Sequence, residues 1–366
     1  MEKNQNKKNK IIKEEFNNYK DEFEHKDLNI KYKSELVNDS YAWRQFTNSF
    51  SVFISINNFL FLIYSTKNKS IICYDLNNEK KISEIKNAHK DYIFNLRHFL
   101  DKNNKRDIVL SLSDGNNLKL WNIQNWECIC YLSFENKNGI IFSAYLLSDN
   151  NINYIIISHY FDDNNTNNMD LIKIFDFNGK LIKNLNNSND SVLIIYNYYD
   201  IKLSTNYIIS GNNNYAKSYD IKNNKLYNKY SDNNYKSCND YYAEYNYYSD
   251  LILKNDENET KLIASCMDGN IRIWNFHSGI LLQRINLISF RNQYCLCLWN
   301  SKYLLVGCCN NKMLLVDYQK GVLIQTFHEH KDSILKIVKI NHAKYGECLI
   351  TQGMGKDQIK IWNIQN

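Results

Sequence analysis

Three stretches of this sequence hold residue types that could do chemistry. Gly353-Met354-Gly355-Lys356 resembles the end of a phosphate-binding loop, where backbone N–H groups cradle phosphates and a lysine neutralises them. That loop also needs a glycine at 350 and a hydroxyl residue at 357, where Ile350 and Asp357 stand, so the stretch reads as a turn. His328-Glu329-His330 would put two imidazoles on one strand face, but a zinc site needs further ligands and no cysteine or third histidine is near. Cys128/Cys130 and Cys295/Cys297 also share faces, in apolar strands where cysteine acts as a small hydrophobe. GxSxG, HExxH and GxGxxG do not occur. No catalytic, metal-binding or cofactor-binding residue is expected, and the chain is read as a non-enzyme.

Composition narrows the class. The chain has 366 residues, 44% apolar and 23% charged, as in a globular protein, yet no proline, only 11 glycines and 28 tyrosines. A coding bias explains the Asn and Tyr content most simply, so Asn-rich loops are discounted as evidence of function. The net charge of +6 is diffuse and only six arginines are present, unlike the dense basic stripe of a nucleic-acid binder. Ten cysteines without a CxxC pair read as reduced thiols, and the N-terminus has no apolar leader. No run of 18 apolar residues exists. The expectation is a cytoplasmic or nuclear protein that is neither secreted nor membrane-bound.

The elements divide into two regions, an arm at 1–39 and a β domain at 40–366. In the arm, Ile12, Phe16, Tyr19 and Phe23 recur at helical spacing, which predicts one amphipathic helix over Ile12 to Asp27. From Tyr41 onward short alternating strands follow one another. A strand ending in an aromatic or apolar residue plus Asp or Asn occurs seven times, at Tyr74-Asp75, Trp121-Asn122, Phe175-Asp176, Tyr219-Asp220, Trp274-Asn275, Val316-Asp317 and Trp362-Asn363. The intervals of 47, 54, 44, 55, 42 and 46 residues bracket the ~40–45-residue period of a four-stranded propeller blade. The two long intervals carry Asn/Asp/Tyr-rich insertions, Phe161 to Asp170 and roughly Tyr230 to Tyr248. The predicted fold is all-β, a seven-bladed propeller of four-stranded antiparallel blades. The chain stops after a third strand, so an N-terminal strand should complete the last blade, and Tyr41 to Asn48 fits that role.

With these residues in hand, the region from Ser40 to Asn366 resembles the WD40 family. The marks are the seven terminal pairs, the Asp268-Gly269 turn before Trp274, and His-Lys-Asp at residues 89–91 and 330–332. Ala88 and Glu329 stand where the family has Gly before the histidine. The resemblance implies hydrogen-bonded networks joining Trp, Ser or Thr, His and Asp. By position these are His89, Ser111 or Ser113, Asp114 and Trp121 in the second blade, and His330, Thr351, Asp357 and Trp362 in the last. The fifth blade offers Ser265, Asp268 and Trp274 without a histidine. The family's phosphoinositide-binding motif and its cullin-adaptor arginine are absent, with Gln124, His277 and Gln365 at the latter positions.

The resemblance implies a non-catalytic scaffold, monomeric within a larger assembly, binding partner proteins or peptides through the propeller rim. On that rim stand Lys90, Asp91, Asn116, Asp268, Asn310, Asn311, Lys331 and Asp332. One alternative is an RNA-associated propeller, stacking bases on the tyrosines of Lys225 to Tyr248. Another is a structural subunit held by its N-terminal helix.

Overall fold

The computed structural model describes residues 29–42, 49–135, 139–160, 171–185, 188, 191–232, 247–256, 258–287, 290, 292–355 and 358–365. The expected helix over Ile12 to Asp27, the insertion Phe161 to Asp170 and most of the Tyr230 to Tyr248 stretch lie outside these residues, as does Asp357. Among the described residues 28 strands form seven antiparallel sheets of four, arranged as a seven-bladed propeller. The first strand of each sheet lies innermost. These are Phe50–Ile54, Ile93–Asp101, Ile140–Asp149, Ile194–Asp200, Tyr248–Asn255, Gln293–Leu298 and Ile334–His342.

Burial explains the strand chemistry. Second strands such as Arg106–Ser113 and Tyr303–Cys308 are buried almost throughout, because neighbouring blades cover both faces. Outer strands such as Leu281–Asn286 and Val322–Phe327 alternate more buried and exposed residues, since only one face meets the ring. Seven apolar clusters result, one in each gap between adjacent blades. Each Trp at the end of a third strand fills the gap toward the preceding blade: Trp121, Trp274 and Trp362.

While the buried Asn363 Oδ1 has no partner among the described residues, the Asp or Asn that ends each of the first six third strands has a local task. Its side-chain oxygen accepts a backbone N–H of the following turn, as Asp75 does from Asn78, Asp220 from Asn223, Asn275 from Ser278 and Asp317 from Lys320, all at 2.9–3.0 Å. Asparagine has a second use. Asn58, Asn87, Asn116, Asn150, Asn151, Asn214, Asn224, Asn292, Asn310 and Asn311 all adopt positive φ. Asn is among the few L-residues that tolerate this region. In a chain with 11 glycines, asparagine makes many of the turns.

Closure differs from the expectation. The outer strand of the last blade is Asn29–Val37, paired antiparallel with Ile359–Gln365 from Asn29↔Gln365 to Val37↔Ile359. A boundary drawn at residue 40 would cut this strand from its blade. Of the segment Tyr41 to Asn48, Tyr41 donates its N–H to the Ser65 carbonyl (2.9 Å) and Ala42 bridges Gly355; residues 43–48 lie outside the described set. Two bulges, between Tyr32 and Ser34 and between Glu35 and Val37, break the period-two pattern and hide the closing strand. Gly355 takes positive φ (66°) in the Ala42 bridge, which makes the Gly353–Gly355 stretch part of this tie.

Candidate functional site

In the second blade Trp121 donates its indole N–H to Ser111 Oγ (2.8 Å), which lies 2.7 Å from His89 Nε2. In the seventh, Trp362 donates to Thr351 Oγ1 (2.8 Å), which lies 2.6 Å from His330 Nε2. Each relay joins the third strand, the second strand and the loop entering the blade. His330 is thereby committed to Thr351, and His328 is exposed. Asp114 is exposed, and the buried His89 Nδ1 has no hydrogen-bond partner among the described residues, so an aspartate does not complete this relay. Ser113 turns instead to the Asn117 carbonyl (3.4 Å). A further tie runs beside each relay. Lys119, two residues before Trp121, donates to the Ala88 carbonyl (2.7 Å), and Lys360 donates to the Glu329 carbonyl. Those carbonyls immediately precede the two histidines.

Burial, with the Lys119 charge second, pushes the His89 imidazole down to about 3; burial, then Lys173, takes His159 to about 4. Both stay neutral in the folded chain while an unfolded histidine protonates near ~6.5. The unfolded state therefore binds more protons below that pH, and stability is lost as pH falls from ~6.5 toward 3. His89 alone should account for about 2 kcal/mol at pH 5. Melting His89→Gln beside the wild type from pH 7 to 4 should give a shallower decline; parallel curves would refute the assignment.

The fifth blade is wired otherwise. Ser265 Oγ contacts Ser249 Oγ (3.0 Å), and the indole N–H of Trp274 reaches only the Ser231 carbonyl at 3.5 Å. Asp268 instead binds Arg272 through both oxygens (2.7 and 3.2 Å), and Arg272 Nε donates to Asp232 (3.0 Å) on the preceding blade. Arg284 donates to the same carboxylate (2.8 Å). Burial would raise the Asp232 carboxyl, but the Arg284 and Arg272 hydrogen bonds outweigh it and hold it low. Arg272 occupies the strand position of Lys119 and Lys360, so a buried inter-blade ion network stands where the other two blades have a lysine–carbonyl tie.

The expected rim residues divide. Asn116 is buried: it accepts the Ile141 N–H (2.9 Å) and donates to the Gly139 carbonyl (3.0 Å), joining blades two and three, and is not available to a partner. Asp91 is half-buried and packs on Gly115, where a Cβ would lie 2.3 Å from its Oδ2. Asp332 caps the Ser333 N–H (2.6 Å). Lys90, Asn310 and Lys331 are exposed, and Asn311 is half-buried. Of the tyrosines in the stretch considered for RNA, Tyr230 and Tyr248 are buried with their rings edge-on to Trp274 at 6.2 and 5.7 Å, and Tyr227 stacks on Phe276. Cys128, placed in the core by its sequence context, is exposed on an outer strand.

The opposite end of the ring carries the hairpins joining first and second strands, and there large apolar side chains are exposed among the polar ones. Ile54 and Phe59 flank the turn of blade one, Ile152 that of blade three, and Tyr199, Ile201 and Leu203 that of blade four. Ile54 is 63% and Ile201 77% exposed. An open cleft of about 770 Å³ lies beside them, bordered by His98, Tyr145, Asn151, Tyr199 and Thr205 of blades two to four.

No family model matches this sequence, and no curated protein matches it either. Among solved structures the chain is similar to BBS1N, determined in complex with ARL6DN. The TM-score is 0.66 at 9% identity, covering 93% of this chain and 98% of that one. Because 1525 solved chains match, such a likeness identifies the architecture and leaves the partner open.

Proposed function

We propose that the chain is a WD40-type propeller acting as a non-catalytic platform for partner proteins. The Trp–Ser–His and Trp–Thr–His relays of blades two and seven support the family reading, and a propeller neighbour bound to a protein supports the role. One observation chooses the surface: large apolar side chains are exposed together at the hairpin end, beside a cleft, where burial by a partner would remove them from water. The polar rim at the other end, with Lys90, Asp91, Asn310, Asn311, Lys331 and Asp332, is the competing surface, several of its members being occupied by turns.

Affinity capture with three baits tests this. Ile201→Asp combined with Leu203→Asp changes only exposed turn residues and should reduce specific partners at least about tenfold, the effect of losing roughly 1.4 kcal/mol of binding. Lys331→Glu combined with Asp332→Lys should leave them bound. The reverse pattern moves the site to the rim, and capture abolished by ribonuclease favours RNA as the ligand.

A further inference from the structure

The central channel holds a cavity of about 220 Å³ whose ionisable lining is Arg97, Tyr196, Asp250, Tyr294, Cys295 and Lys336, drawn from five of the seven innermost strands. Their hydrogen bonds are unequally met. Asp250 accepts three: Tyr196 donates its hydroxyl to Oδ1, and the N–H groups of Leu251 (2.9 Å) and Leu296 (2.7 Å) bind Oδ1 and Oδ2. Burial pushes its carboxyl above the usual range, against those donors and the Arg97 charge. The Cys295 thiol is turned to the Ile334 carbonyl (3.6 Å). Lys336 spends one of its three donors on the Phe50 carbonyl (2.6 Å).

Arg97 is different. Its guanidinium lies over the rings of Tyr145 (4.6 Å) and Tyr196 (5.4 Å), which fix its plane. Its Nε and Nη2 are buried with no hydrogen-bond partner among the described residues. Both nitrogens are closed to water, so Arg97 acts on the cavity through its charge and not by donating from this edge. With Arg97 and Lys336 against Asp250, the cavity has one formal positive charge in excess when all three are ionised.

We infer that the channel is a binding site for a small oxyanion, held by the free donors of Lys336 and drawn in by the charge of Arg97. Nothing in the interaction platform requires this site. Lys336 touches the cavity yet is ringed by protein. Burial first and the Arg97 charge second bring its ammonium down to about 7, with Asp250 opposing them. The oxyanion should therefore bind more weakly as pH rises from 6 to 8.

Sulfate is the probe of choice because its charge is constant over that range. Calorimetric titration of the full chain, with sodium chloride at matched ionic strength as reference, should show one saturable site. Arg97→Met removes the charge and should weaken binding at least tenfold. Lys336→Met should bind more weakly at pH 6 and lose the pH dependence. A parallel titration with acetate distinguishes a planar carboxylate ligand from a tetrahedral one, by which of the two binds more tightly. If sulfate and acetate both fail to saturate, or if Lys336→Met keeps the wild-type pH profile, the inference is wrong. The wild-type titration decides this even where Arg97→Met fails to fold.

Discussion

A chain lacking residues 1–37 is expected to lose cooperative unfolding, while one lacking only 1–28 keeps it. The difference between the two is the strand Asn29–Val37, which pairs with Ile359–Gln365 and closes the ring. Its removal takes Ile30 from the cluster between blades six and seven and Val37 from the cluster between blades seven and one, so both gaps beside the last blade are affected. Each buried aliphatic contributes roughly 1.5–3 kcal/mol. Tyr32, edge-on to Trp362 at 5.8 Å, adds to that. The lost ladder also leaves Ile359–Gln365 as an open edge. Several kcal/mol is a large part of the ~5–15 kcal/mol that holds a typical domain folded. Calorimetry would show a broad, early or absent transition for the shorter chain, and an unchanged midpoint would remove this strand from the closure.

The parts of this fold legible in the sequence are those in which one residue type answers a local need. The pair ending each third strand is such a case: Asp75, Asp220, Asn275 and Asp317 each cap the next turn with a side-chain oxygen, and few other residues can. Repetition of that need in six of the seven pairs makes the architecture readable. The closing strand answers a distant partner, more than three hundred residues away in the chain, and its bulges and charges make it look like the arm before it. Asparagine was legible as composition, but its role at positive φ depends on backbone geometry that composition does not carry.

The candidate site shows the same division. His89, Ser111 and Trp121 could be lined up by spacing, because all belong to one blade. Asp232 could not be joined to Arg272 and Asp268, since it comes from the blade before. Asn116 looked like a rim residue because turns are usually exposed, yet the next blade covers it. The apolar hairpin end is invisible to periodicity, because an exposed Ile201 and a buried Ile208 are the same letter. Arg97 gave no signal at all: its meaning comes from five other strands meeting around it.

Trp274→Ala should lower the unfolding free energy by ~3–5 kcal/mol, the usual cost of removing a buried Trp or Phe side chain. Trp274 is fully buried in the gap between blades four and five, among Tyr230, Tyr248 and Phe276, and the hole would lie between two blades that must stay in register. What is lost should be packing. The indole N–H makes only a 3.5 Å contact with the Ser231 carbonyl, at the limit of a hydrogen bond, and Asp268 is occupied by Arg272. Trp274→Phe should therefore recover most of the loss, because a ring is retained against the two tyrosines. Trp121 makes the contrasting case. Its N–H is held by Ser111 at 2.8 Å, and Ser111 in turn meets His89, so Trp121→Phe leaves buried polar groups short of a partner and should cost about 1 kcal/mol beyond its packing. Chemical denaturation of the four variants, Trp274 and Trp121 each to Ala and Phe, separates the two effects. If Phe rescues Trp121 as well as it rescues Trp274, the relay adds nothing to stability, and the blades are held by packing alone.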